Sequence, residues 1–230
     1  MHIVHPSIDP RILSIAPGFR ALSITVEAGP IENPDHAKDI LKESCEFVVA
    51  GGCSWGEAHM QAWAEVFRQF GAKPQRTPCS AEALRKRVIK DGTLTSIDPI
   101  VDVYNAISIK YAVPVGGENI AAYAGTPFLT IADGTELFDT IKEGKPTNES
   151  PDPGEVVWKD DIAVTCRRWN WRQGLRTRLG ADAKLMWFIL ETLPAMPLTA
   201  VEKAGQELVT ALRVIMPEAK IHIQLIQPIA

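Results

Sequence analysis

The eight residues from Lys184 to Glu191, Lys-Leu-Met-Trp-Phe-Ile-Leu-Glu, form a continuous apolar run closed by a charge at each end. The run is far short of the roughly 18 apolar residues of a membrane span, and no other window comes closer. At this length, unbroken hydrophobicity suggests a central strand. Residues 21–27, Ala-Leu-Ser-Ile-Thr-Val-Glu, alternate and are β-rich, so they read as a second strand. Shorter strands are expected around 127–132 and 155–158, and a last one over Ile221–Ile226. Helical patterns lie between them. One covers 35–50, after a polar stretch at 29–36. Ser54 with Glu57 reads as a capping box ahead of an apolar stripe of Met60, Trp63, Ala64, Phe67 and Phe70 that ends at Gly71. Ser80 opens a helix to about Lys90. Asp98-Pro99 is an N-cap and first-turn pair for a helix lined by Ile100, Val103, Ile107 and Tyr111 and ended by Pro114. Thr199 with Glu202 starts a helix that runs to about Ile215, before Pro217. Residues 144–154, rich in Gly, Pro, Asn and Ser, read as a loop. Strands and helices interleave irregularly, which gives a mixed α/β (α+β) fold, a single domain over 1–230 with mixed sheets and helices packed outside.

The apolar fraction of 46% supports a sizeable core. A net charge of −4 excludes a polycation, so any nucleic-acid contact has to use a local patch. One patch is Arg167, Arg168, Arg172, Arg176 and Arg178. A second, Arg85, Lys86, Arg87 and Lys90, reads as a solvated helix face. Cys45, Cys53, Cys79 and Cys166 are scattered, show no CxxC spacing and follow no signal peptide, so reduced thiols in a cytoplasmic protein are expected. His2, His5, His36, His59 and His222 are equally dispersed. No metal and no other cofactor is expected, and no membrane partner.

Cys166 to Gln173, Cys-Arg-Arg-Trp-Asn-Trp-Arg-Gln, holds the densest chemistry. On a strand, Arg168, Asn170 and Arg172 would share one face and Arg167, Trp169, Trp171 and Gln173 the other. Guanidinium, indole and amide groups are what proteins use to hold phosphates, stack bases and grip carboxylates. The same residues also suit a buried network in which the arginines pair with Asp160, Asp161 or Glu155. Three further groups are polar. Asp102, Asn105 and Ser108 are spaced three apart on a helix, either a solvent face or a binding face. Gly116 and Gly117, in Pro-Val-Gly-Gly-Glu-Asn, suggest a sharp turn or a close ligand approach. The Asp133-Gly134 turn presents Glu136 at a strand start. Cys53, in Gly-Gly-Cys-Ser-Trp-Gly, has no histidine identifiable as its base, and no Ser-His-Asp or Cys-His set stands out. A hydrolase built on this chain would position a water and form no covalent intermediate.

Residues 98–125, with Asp102-Val-Tyr-Asn105 at their core and Pro114-Val-Gly-Gly after it, resemble the tRNA-editing (B3/4) domain of the bacterial phenylalanyl-tRNA synthetase beta subunit. Leu129–Glu136 resembles that domain's next strand and Asp-Gly turn, and Glu155–Ala163 its Val-Ile-Ala-Asp-Asp strand. The resemblance covers roughly 75–180. The chain is too short for a synthetase and lacks aminoacylation motifs, so it looks like a freestanding version. The resemblance implies hydrolysis in trans of a wrongly charged aminoacyl-tRNA, with Glu136 on the family's glutamate that recognises the wrong side chain. It also implies that Gly116 and Gly117 lie on the turn lining the pocket. Two departures imply a rebuilt pocket. Gly116 stands where the synthetase has histidine, and Arg167–Trp171 stands where it has a Gly-x-x-Gly-Gly run.

The expected partner is the 3′ aminoacyl end of a tRNA. Arg167, Arg168 or Arg172 would hold its terminal phosphates, and Trp169 or Trp171 would stack its terminal adenine. Glu136 or Asp102 would take the α-ammonium. Backbone amides near Gly116 and Gly117 would serve as oxyanion donors, with Asn105 beside them. A non-catalytic module for tRNA, an amino acid or another small molecule is the alternative, and an ester or amide hydrolase unrelated to tRNA is a third.

Overall fold

The computed structural model describes residues 3–180 and 182–227; His2 lies outside them. In chain order the elements are β1 (Ser7–Ile8), α1 (Ile12–Ile15), β2 (Arg20–Glu27), α2 (Asp35–Val49), α3 (Gly56–Gln69), α4 (Ser80–Asp91) and α5 (Pro99–Tyr111). There follow β3 (Val115–Asn119), β4 (Phe128–Ile131), β5 (Phe138–Lys142), β6 (Lys145–Glu149), β7 (Val156–Lys159), β8 (Val164–Arg167) and β9 (Arg172–Gln173). β10 (Leu185–Thr192), α6 (Leu198–Ile215) and β11 (Lys220–Ile226) complete the chain.

Two sheets form. The first runs β11-β2-β10-β3, antiparallel throughout. The second runs β1-β4-β7-β8-β5-β6, with β9 paired to β8, and mixes parallel (β1–β4, β5–β8) and antiparallel pairs. The apolar run at 184–191 is the central strand β10, between β2 and β3. It is continuous because both of its faces are covered. Met186, Phe188 and Leu190 turn toward α5 and α6, packing with Ile100, Val103, Ile107, Val201 and Leu208. Trp187 and Ile189 turn the other way, onto Trp63 and Phe67 of α3, Val156 and Trp158 of β7, and Trp169. That second core joins the two sheets. α6 lies close on β2 because residue 205 is glycine; a Cβ there would stand 2.0 Å from Leu22 Cδ2.

α5 begins as the sequence reading expects: the Asp98 side chain accepts from the N–H groups of Ile100 and Val101, with Pro99 in the first turn. It ends at Tyr111, before Pro114, with Ala112 in the left-handed region at φ 50°. Both expected capping boxes are absent. α3 begins at Gly56 and α6 at Leu198, which puts Ser54 one residue too early and Thr199 two too late to cap. Trp55 instead anchors the start of α3, donating its indole N–H to Tyr111 O at 2.9 Å. Within the expected 144–154 loop, residues 145–149 form the strand β6, in a hairpin with β5 that turns at Glu143-Gly144 with positive φ at both. Its exposed polar composition disguises an edge strand.

His59 of α3 ties the elements behind the cavity together. Its Nδ1–H donates to Ala112 O at 2.7 Å, and its Nε2 accepts from the Leu193 N–H at 3.1 Å. Burial pushes its pKa from 6.5 down to about 4, so the ring is neutral in the fold. The unfolded chain takes up that proton first. The contribution is whole above pH 6.5 and is lost on acidification toward pH 4, at about 1.4 kcal/mol per pH unit. Urea unfolding at pH 7 and pH 4.5 checks this: the wild type should lose more stability over the range than His59→Gln.

Candidate functional site

A cavity of about 280 Å³ opens where the two sheets meet the starts of α4 and the middle of α5. Its aromatic walls are Tyr104, Trp158, Trp169, Trp171 and Trp187. The pleat explains who faces it. Glu118 pairs with Trp187 and Gly116 with Ile189, so these four share one face of the first sheet. The side-chain direction of Gly117 is the opposite face, where a Cβ would stand 3.0 Å from both Tyr104 and Leu179, while its main chain still borders the cavity. The expected sharp corner at Gly116-Gly117 is therefore an extended edge strand. Its glycines supply room, one on each face, and neither has positive φ.

The Arg/Trp run is likewise not a single strand. β8 ends at Arg167, and Arg168 and Trp169 form a tight turn with φ of 46° and 65° before β9 begins at Arg172. Two consecutive left-handed residues suit Asn-Gly, and each bulky residue there costs about 1–2 kcal/mol. Surrounding bonds hold the turn. The Arg168 N–H donates to Glu155 Oε1 at 2.8 Å and the Trp169 N–H to Val156 O at 2.6 Å. Most decisive is Glu191 of β10, fully buried. Its Oε1 accepts from the indole N–H of Trp158 and of Trp169, each at 2.8 Å, and its Oε2 from Asn170 Nδ2 at 3.0 Å.

This turn sorts the candidate residues. Trp169, Asn170, Trp171, Arg172 and Gln173 line the cavity, as do Asn105, Gly116 and Gly117. Arg168 covers the outer side of Trp171, its guanidinium 4.6 Å from the ring centre, with Arg172 at 5.9 Å. Arg167 is apart from the cavity. It is buried and donates to Glu155 at 3.0 and 2.8 Å, the pairing that one reading of the run anticipates. Asp102 is also occupied, accepting from Ser96 Oγ at 2.5 Å and the Ile97 N–H at 2.8 Å. Ser108 donates to Val113 O at 2.8 Å, within the exit of α5. Glu136 folds back on its own turn, accepting from the N–H groups of Asp133 at 3.2 Å and Gly134 at 3.1 Å. None of Arg167, Asp102, Ser108 and Glu136 is among the lining residues.

Two carboxyl groups that the sequence reading passed over do line the cavity, Glu118 and Glu191. Glu118 adjoins the double glycine and Glu191 closes the apolar run, so each sat in a segment already marked. Burial pushes Glu118 up to about 8 and Glu191 to about 7. Glu118 Oε2, Asn170 Oδ1 and Ser80 Oγ are buried with no hydrogen-bond partner, which is uncommon in a folded interior. The cavity contains no histidine, and burial drives the Cys166 thiol well above its ordinary range. Cys53 is also shifted upward by burial, so no thiolate nucleophile is prepared there. Among the described residues, no group of three or more His, Cys, Asp or Glu side chains is placed to hold a metal ion, and no helix is long and apolar enough to cross a membrane.

Residues 62–206 match the model of the B3/4 domain family, and the chain belongs to that family. Among solved structures, it is similar to an N-terminal fragment of the phenylalanyl-tRNA synthetase beta-subunit from Pyrococcus horikoshii, with a TM-score of 0.48 and 12% identity over 99% of this chain. The chain spans 55% of that fragment. No curated protein matches the sequence.

Because Glu118 is held neutral against its preference in water, the charge that alkali restores is costly. Its folded pKa lies above the ordinary 4.5, so its contribution is whole below pH 4.5 and is lost as pH rises through about 8. Glu118→Gln should melt a few degrees above the wild type at pH 9, and the gap should close toward pH 5. Thermal melts at the two pH values measure it. Glu191→Ala should lower the melting temperature at every pH, because it strands three buried N–H donors.

Proposed function

We propose that the cavity receives the aminoacylated 3′ end of a tRNA and that the domain removes a wrongly attached amino acid by water attack on the ester, with the whole chain working as one unit. The observation that carries this reading is the set of unpartnered polar atoms, Ser80 Oγ, Glu118 Oε2 and Asn170 Oδ1, inside one small aromatic cavity of a B3/4 domain. Its volume suits a group the size of one amino acid and not a nucleotide chain. The nucleotides then lie at the rim. Trp171 offers a face to the terminal adenine, and Arg172 and Arg168 offer charge to the phosphates.

An aminoacyl ester is already activated, so an oriented water and one hydrogen bond to the developing oxyanion account for a useful rate. Ser80 at the start of α4 and Asn105 of α5, both on the cavity wall, are the side chains assigned to that work. The absence of any histidine from the lining residues favours the second reading, in which the cavity binds without turnover.

A panel of mischarged tRNAs separates the two. Release of one amino acid, slowed about a hundredfold or more by Ser80→Ala or Asn105→Ala, supports hydrolysis. Tight binding with no release selects the binding module. Arg172→Ala should weaken tRNA binding and reduce the slope of log affinity against log salt by about 1. Arg167→Ala should leave that slope unchanged and destabilise the fold by about 3–5 kcal/mol, because it leaves Glu155 buried without its partner.

A further inference from the structure

The polar atoms of the cavity differ in what they still have to offer. The indole N–H groups of Trp158 and Trp169 are spent on Glu191, and that of Trp187 on Ser23 Oγ at 2.9 Å. Asn170 Nδ2 is engaged by Glu191 and Gln173 Nε2 by Gly117 O at 2.8 Å. What remains without a partner is acceptor-rich. Glu118 Oε2 and Asn170 Oδ1 belong to residues only 4% and 7% exposed, and Ser80 Oγ joins them. A carboxylate or phosphate set against Glu118 Oε2 and Asn170 Oδ1 meets two oxygen acceptors beside indole N–H groups that are already spent; the donors that line the rest of the wall, the Ser80 hydroxyl and the Asn105 amide, are those assigned to an oxyanion. A purely apolar body leaves both acceptors unsatisfied, which is the costly outcome for buried polar groups.

We propose that the cavity is a receptor for a primary ammonium group, accepted by Glu118 Oε2 and Asn170 Oδ1 within an indole wall, so that its ligand is a compact amine bearing an apolar or aromatic body. Three N–H donors on one centre match the unpartnered acceptors. The faces of the surrounding tryptophans add attraction for a cation that has left water. The inference rests on the cavity being the ligand site and specifies which end of an aminoacyl group it grips.

The assignment has a pH signature. The empty Glu118 carboxyl sits at about 8 and is mostly neutral at pH 7; an ammonium partner favours its ionised form, so binding expels a proton. Burial opposes the ionised form most strongly; hydrogen bonding from the Gln173 and Thr165 side chains and the charge of Arg176 favour it, and Asp160 opposes it. The Cys166 thiol and Tyr104 also feel this carboxyl, Arg178 is bridged to its backbone, and Glu191 stands four strand positions away on the same face. Glu191 titrates near 7, but both its oxygens already accept protein N–H groups, and the Glu118→Gln variant separates the two carboxyls.

The test uses the intact protein and 2-phenylethylammonium, with 2-phenylethanol and 3-phenylpropionate as probes of the same body and different heads. Affinity for the amine, read by tryptophan fluorescence, should rise up to tenfold per pH unit between pH 6 and 7 and level off above pH 8. Calorimetry at pH 6.5 in two buffers of different ionisation enthalpy should find close to one proton released. Glu118→Gln should weaken amine binding at pH 8.5 at least tenfold and flatten the pH profile. The inference is overturned if the alcohol or the carboxylate binds as tightly as the amine, if the amine binds with no proton release, or if Glu118→Gln keeps both affinity and profile. The probes need neither tRNA nor turnover. Amine binding without deacylation upholds the receptor and removes the hydrolase; deacylation without amine binding does the reverse.

Discussion

One carboxylate holds the two halves of this protein in register. Glu191 stands at the end of the central strand of the first sheet, and its three N–H donors come from Trp158 and from the Trp169-Asn170 turn of the second. Neither sheet closes the cavity alone. Burying a carboxyl group in apolar surroundings is expensive unless its oxygens are occupied, and here three donors occupy them. The same bonds spend the indole N–H groups that those tryptophans would otherwise strand in the core. Fixing one carboxyl group therefore settles the sheet-to-sheet distance, the rotamers of two tryptophans and the direction of the asparagine amide.

Glu118, four strand positions away by register, is the counterpart with the opposite treatment. It lies equally deep, but one oxygen has been left without a partner. A buried carboxyl satisfied on every side is architecture, while one with an unpartnered oxygen in a cavity wall costs stability and invites a ligand. The contrast between two glutamates on one sheet face is what distinguishes the wall of this site from its working surface.

Much of the fold was legible in the sequence because it is written in periodicity. The run at 184–191, the alternation at 21–27, the Asp98-Pro99 start and the apolar side of α5 all appear where their patterns place them. The failures have a common cause, which is that local chemistry was overruled by packing. Ser54 and Thr199 look like caps, but the helices start elsewhere, at positions set by Trp55 and Pro197. Gly116-Gly117 reads as a turn, since nothing local reveals that a neighbouring strand and Tyr104 require the missing side chains. The hairpin turn at Arg168-Trp169 carries none of the Asn-Gly signal such turns usually show, because bonds from Glu155, Val156 and Glu191 impose it. Of the residues suspected of binding, the 169–173 segment reaches the cavity. Asp102, Ser108 and Glu136 are taken up by neighbouring backbone and side-chain groups that no pattern discloses, while the Arg167–Glu155 pair is one of those that the run itself suggested.

The turn after β8 has a consequence for how such a site diversifies. Trp169 is plugged into the core, and two positions later Trp171 stands at the mouth under Arg168. Anchor and rim are thus steps of a single short staircase. Adding or removing a residue would rotate the plug out of its socket and swing the mouth with it, so length variation is closed to this segment. New ligand preferences on this scaffold have to arise by exchanging side chains at fixed spacing.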